Sequence, residues 1–105
     1  MEFTSCLLYF MTFEEFRSSL KNSTPPEGLQ PLLKALWHDG KNDWEMAHNI
    51  AQDIHSNDGS WIHAYLHRKE GDLGNASYWY SRAGRRMPEM SLEKEWEEIV
   101  VGLLK

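Results

Sequence analysis

The chain has a single cysteine, Cys6, and it has no apolar run of the about 18 residues that a membrane span requires. One cysteine excludes a disulfide within the chain and is typical of a reducing compartment. The first residues, MEFTSCLLYFM, have neither the basic segment nor the clear cleavage site of a secretory signal. These features predict a cytoplasmic protein with no membrane contact.

Positive charge is also scarce, with 11 Lys and Arg against 16 Asp and Glu and a net charge of −5. This balance argues against nucleic acid as the main partner. The charge is uneven, because residues 59–88 carry five bases against two acids. Two interpretations stay open: a solvated face balanced by the acidic C-terminal helix, or a small patch that attracts anions.

What the chain does contain indicates one folded domain. It has 105 residues, 41% hydrophobic and 12% aromatic, with five tryptophans. We find no strand-like alternation, and the apolar residues recur at helical spacing. The sequence predicts an all-α domain over 11–105, with residues 1–10 as a doubtful N-terminal extension or a short segment packed on the domain. We expect six helices, at about 13–21, 29–38, 44–56, 60–70, 73–86 and 92–104.

Helix boundaries are predicted from capping residues and turn formers. Thr12 and Glu15 have the spacing of a capping box, in which each residue bonds the backbone of the other. Gly40 is suited to a left-handed position at the end of the second helix. Residues 56–59, SNDG, predict a tight turn. Further N-caps are expected at three polar residues: Asp43, Asp72 and Ser91.

Residues 60–88 resemble a tetratricopeptide-type helical hairpin and, similarly, a Sel-type repeat. Small residues, an aromatic, a Gly-Asp turn and a terminating proline carry the resemblance: Ala64, Gly71, Asp72, Ala76, Tyr80, Ala83 and Pro88. Residues 29–56 resemble a degenerate first copy, and 91–104 would be a capping helix. The resemblance implies tetratricopeptide-like antiparallel hairpins and a protein-interaction module.

A second resemblance covers more of the chain. ALWHDGKNDWEMAH (35–48) and WIHAYLHRKEGDLGNASYWYSRAGRR (61–86) resemble a widespread family of small, uncharacterised, mostly bacterial proteins. That family shares the pattern LWHDxKxDWxxAH followed by HAxxHRxEGDxxNAxYWYxRAG. The resemblance implies a compact helical unit and supplies no reaction.

Three histidines form the first candidate site. If the third and fourth helices pair antiparallel about residues 57–58, His48 lies opposite His67, and His63 lies one turn away on the same face. Glu70 continues that face. Three imidazoles, with or without a carboxylate, suit zinc or a related divalent ion. The alternatives are hydrogen-bonded histidines in the core, which the sequence alone favours, and acid–base catalysis. His38 and His55 are expected to be peripheral.

An aromatic and basic surface is the second candidate. We predict binding residues on the fourth and fifth helices: Trp61, Tyr65, Arg68, Lys69, Tyr78, Trp79 and Arg82. Aromatics beside arginine are common anchors of protein interfaces, so the expected partner is a protein or an acidic peptide. The first and last helices would otherwise cover Trp61 and Trp79, or a homodimer would. This interaction function needs no cofactor and is favoured over an enzyme; a helical protein that binds a divalent metal and acts as a hydrolase is the alternative.

Overall fold

Six α-helices follow one another along residues 11–104, the part of the chain that the computed structural model describes. They are α1 (Phe13–Ser18), which a 3₁₀ turn at Ser19–Lys21 extends, α2 (Pro31–Gly40), α3 (Trp44–Gln52), α4 (Asn57–Lys69), α5 (Leu73–Arg82) and α6 (Leu92–Leu104). Over these residues there is no strand, so the predicted all-α class is confirmed. The prediction for residues 1–10 lies outside the described residues.

The predicted N-caps are confirmed, so these helix starts are set by local sequence. At α1 the Thr12 hydroxyl accepts from the Glu15 amide at 3.1 Å, and the Thr12 amide donates to the Glu15 carboxylate at 2.9 Å. Three other caps each accept from the amide three residues on: Asp43, Asp72 and Ser91. Each bond satisfies an amide that the first helical turn leaves without a partner.

The predicted turn at residues 56–59 is wrong, because α4 already begins at Asn57. Ser56 is its N-cap and accepts from the Gly59 amide at 3.0 Å. Gly59 is required there, since a Cβ at this position would lie 2.1 Å from the Ile54 carbonyl oxygen. Gly59 is therefore not a turn residue. Its lack of a Cβ allows Ile54, in the segment before α4, to lie close to the first turn of the helix.

The left-handed position predicted at Gly40 is also wrong. Gly40 is the last residue of α2, and the positive φ of 67° falls at Asn42. A Cβ at Gly40 would lie 3.0 Å from the Leu20 side chain and 3.2 Å from Trp96. The absence of a side chain at Gly40 therefore allows α2 to pack closely against the 3₁₀ turn that follows α1 and against α6.

The four helices α2 to α5 pack in chain order, and α6 packs back onto earlier helices. Contacts join α2 to α3, α3 to α4 and α4 to α5, while α6 contacts α1, α2 and α4. Ala47 and Ala51 of α3 and Ala64 of α4 are all buried, and small buried side chains allow close approach of helix backbones. None of the helices among residues 11–104 has the length and apolar character needed to cross a bilayer. The tetratricopeptide-like arrangement of hairpins stays a prediction.

Candidate metal centre

His48, His63 and His67 converge between α3 and α4, as the helical spacing predicts. The Nε2 atoms of His48 and His63 are 3.0 Å apart. One nitrogen from each of the three imidazoles lies within 4.8 Å of the others. That 3.0 Å contact is a hydrogen bond between the two imidazoles. Nitrogens bound to one tetrahedral zinc at about 2.0–2.1 Å are about 3.3 Å apart, a separation similar to this contact.

Two tryptophans hold the imidazole rings in place. Trp44 lies one turn before His48 and stacks on it, with ring centroids 4.8 Å apart and planes at 10°. Trp79, from α5, stacks on His63 at 4.0 Å and 20°. The Trp44 indole N–H donates to the Leu66 carbonyl at 2.8 Å, which fixes the ring against α4. The cluster is therefore orientated by packing on both sides.

Burial keeps two of the imidazoles neutral. The pKa of His63 is lowered from 6.5 to about 4, mainly because burial penalises the charged form and also because His48 and His67 lie beside it. The pKa of His48 is lowered by burial first and by His67 second, while Glu70 acts in the opposite direction. At pH 7 both rings are therefore neutral, which is the form that binds metal ions.

Glu70 occupies a different place from the one expected of a fourth ligand. Its carboxylate lies 2.7 Å from Nδ1 of His67. If Nδ1 carries the proton and donates it to this carboxylate, the Nε2 lone pair of His67 is free to bind a metal. Glu70 thus fits the role of an orienting partner. Among residues 11–104, no fourth His, Cys, Asp or Glu joins the three histidines.

Much of the predicted binding surface lies inside the fold. Trp61 is 8% exposed, and its indole N–H donates to Glu95 at 3.1 Å. Arg68 donates to the same carboxylate at 2.7 Å, and the Tyr80 hydroxyl donates to it at 2.6 Å. Glu95 is itself 1% exposed. The last helix therefore covers Trp61, which was the stated alternative to a role of Trp61 in binding a partner. Arg68 forms an ion pair with the buried Glu95.

Asp39 accepts hydrogen bonds from two further predicted binding residues, Tyr65 and Lys69. The Tyr65 hydroxyl donates to it at 2.9 Å, and the Lys69 ammonium donates to it at 2.8 Å. Tyr65 and Asp39 are each 2% exposed. The pKa of Tyr65 is raised well above its usual value, first by burial and then by Asp39. These contacts pair α4 with α2, and Tyr65 is buried by them, whereas Lys69 stays exposed.

Four of the seven predicted binding residues remain near the surface: Lys69 at the end of α4, and Tyr78, Trp79 and Arg82 on α5. Tyr78 is 54% exposed, and Trp79 is partly buried against His63. Arg82 lies beside both rings, with its guanidinium carbon 5.9 Å from the Tyr78 centroid and 5.4 Å from the Trp79 centroid. Binding of a protein, an acidic peptide or a second copy through this smaller surface stays a prediction.

Sequence reasoning missed the two buried carboxylates. Glu95 lies three residues after Leu92 and four before Ile99, so it sits within the apolar stripe of α6. A glutamate at that spacing is a signal of a buried, paired carboxylate. Asp39 stands beside Gly40 and carried only the signal of a turn residue, so nothing local marked it.

A scan of protein-family models, a search of curated proteins and a search of solved structures each return no match for this chain. The resemblances to a bacterial family and to helical repeats therefore stay predictions.

Proposed function

We propose that the chain binds one divalent transition-metal ion, of the zinc class, through the imidazoles of His48, His63 and His67. The observation that carries this proposal is the convergence of three imidazole nitrogens within 4.8 Å. Neutral imidazole is a preferred ligand of zinc, copper, iron and nickel. All three donor atoms are imidazole nitrogens, and magnesium and calcium prefer oxygen ligands, so these two ions are disfavoured.

Burial and neutrality both favour metal binding at this cluster. His63 and His67 are 6% and 8% exposed, so few competing water molecules surround their nitrogens. The lowered pKa values of His48 and His63 mean that neither ring must lose a proton at pH 7 before it binds. Glu70 holds His67 in the manner of the carboxylate–histidine pairs that support metal ligands.

The number of ligands determines the chemistry that the bound ion would supply. Three protein ligands leave one position of a tetrahedral ion open, as in catalytic zinc sites, whereas structural zinc sites have four protein ligands. An ion held by the three histidines would supply an activated water, because zinc in such sites lowers the pKa of its bound water to about 7. The proposed function is therefore a metal-dependent hydrolytic site, and the competing hypothesis is a purely structural histidine cluster.

Metal stoichiometry separates these two hypotheses. The tag-free chain is stripped with a chelator, incubated with zinc, desalted and analysed for metal. We expect about one zinc per chain, and loss of most of it in His48→Gln, whose side chain is only partly buried. His38→Gln is the matched control, because His38 lies on α2 outside the cluster. Zinc below about 0.1 per chain in the wild type would leave the histidines as hydrogen-bonding groups of the core.

A further inference from the structure

A pocket of about 350 Å³ lies beside the histidine cluster. It is bordered by the end of α3, the segment that connects α3 to α4, the first turn of α4 and the C-terminal end of α5. His63, a member of the cluster, and Trp79, which stacks on His63, both line this pocket. Its volume is at the lower end of the range for small-molecule sites, which indicates a ligand of few atoms.

The lining of this pocket is basic and polar. Arg82 and His55 contribute nitrogens, and Ser56, Ser60, Asn57 and Gln52 contribute hydroxyl and amide groups. No aspartate or glutamate is among the described lining residues. This is unexpected in a chain in which acids outnumber bases by 16 to 11. A cation among neutral donors favours a negatively charged ligand.

Arg82 has no carboxylate partner within the described part of the chain. The ion pairs found there use Arg68, Lys69 and His67. Among residues 11–104 the guanidinium of Arg82 donates only to the Tyr78 hydroxyl, at 3.3 Å, and it lies against the Trp79 ring. A planar guanidinium with free N–H groups matches the geometry of an oxyanion.

The N-terminus of α4 also favours a negatively charged ligand in this pocket. Ser56, Asn57, Gly59 and Ser60 of its cap and first turn line the pocket. The partial positive charge at a helix N-terminus favours anions nearby. Asp58, the acid of this turn, is exposed and is not among the lining residues.

We propose that this pocket is the substrate pocket of the histidine centre and that it binds a small molecule through an oxyanion group held by Arg82. The inference rests on the proposed function, because His63 is both a proposed metal ligand and a wall of the pocket. The substrate class is a small phosphorylated or carboxylated compound. The larger cavity, bordered by Asp39 and Lys69, is a weaker candidate because those two charges neutralise each other.

The test is a titration of the zinc-loaded and the metal-free chain with inorganic phosphate, followed by the amide NMR signals of Ser60 and Asn57. We expect saturable shifts, and an affinity about tenfold or more weaker in Arg82→Gln, since a charge-assisted hydrogen bond is lost. Arg86→Gln is the control, because Arg86 is exposed and does not line the pocket. Acetate in a parallel arm distinguishes a site for phosphate alone from a site for any oxyanion.

Zinc content measured on the same samples separates the two proposals. Phosphate binding that depends on Arg82 without zinc retention would support the anion pocket and overturn the proposed metal function. Zinc retention with no saturable phosphate or acetate shifts would overturn the anion pocket alone. Binding that Arg82→Gln leaves unchanged would also overturn it.

Discussion

Acidification of the metal-free chain should destabilise it through His63 in particular. The pKa of this imidazole is about 4 in the fold, whereas an exposed histidine has a pKa of 6.5. Between these two pH values the unfolded chain binds a proton that the folded chain does not bind. The stability contributed by neutral His63 is therefore fully present above pH 6.5 and is lost as the pH falls to about 4.

The size of this effect follows from the shift of about 2.5 pKa units. One unit corresponds to about 1.36 kcal/mol, so His63 contributes on the order of 3 kcal/mol. A domain of this size has a total stability of about 5–15 kcal/mol, so the loss is a substantial fraction of it. The shift is caused chiefly by burial, and His63 is only 6% exposed.

Urea unfolding of chelator-treated protein, followed by circular dichroism at several pH values, measures this contribution. Carboxylates titrate over part of the same range, so the informative quantity is the difference between wild type and His63→Gln. We expect the variant to lose on the order of 3 kcal/mol less than the wild type between pH 7 and pH 4. His55→Gln, at an exposed histidine, should behave as wild type. Equal losses in wild type and His63→Gln would refute the argument from burial.

Three further predictions follow from the described contacts. Glu70→Gln should weaken zinc affinity about tenfold, measured by competition with a chelator, because the amide orients His67 less strongly than the carboxylate; unchanged affinity would exclude an orienting role. Arg68→Met should cost about 3–5 kcal/mol in urea unfolding, since it removes the cation that Glu95 contacts at 2.7 Å, and Arg68→Met with Glu95→Gln should recover part of the loss. Gly59→Ala should cost more than about 2 kcal/mol, because its Cβ would lie 2.1 Å from the Ile54 oxygen, whereas Gly74→Ala, with nothing within 4 Å, should change stability by less than about 1 kcal/mol.

Periodicity and caps made the helices predictable from sequence. The stripe of Leu92, Ile99 and Leu103 required a partner surface, and α6 provides this contact to α1, α2 and α4. Local hydrogen bonds at Thr12 and Asp43 fixed two helix starts where expected. Errors fell at glycines, because Gly40 and Gly59 are needed for close contacts between distant segments rather than for local turns.

The histidine cluster was predictable because two helices joined by a short connection place their residues in a fixed register. His63 and His67 are one turn apart, and the antiparallel pairing of α3 and α4 brings in His48. The burial of Trp61 and the ion pair of Arg68 were not predictable in the same way. They depend on Glu95, which is 34 and 27 residues further along the chain, and no local pattern reports such a contact.

The most direct test of the central claim is X-ray absorption spectroscopy at the zinc edge of the stoichiometrically loaded chain. The proposal predicts three imidazole ligands at about 2.0–2.1 Å and one further light-atom ligand. His38→Gln should give the same spectrum, because its side chain lies outside the cluster. A zinc ion surrounded by oxygen ligands, or by a single imidazole, would contradict a shared site at His48, His63 and His67.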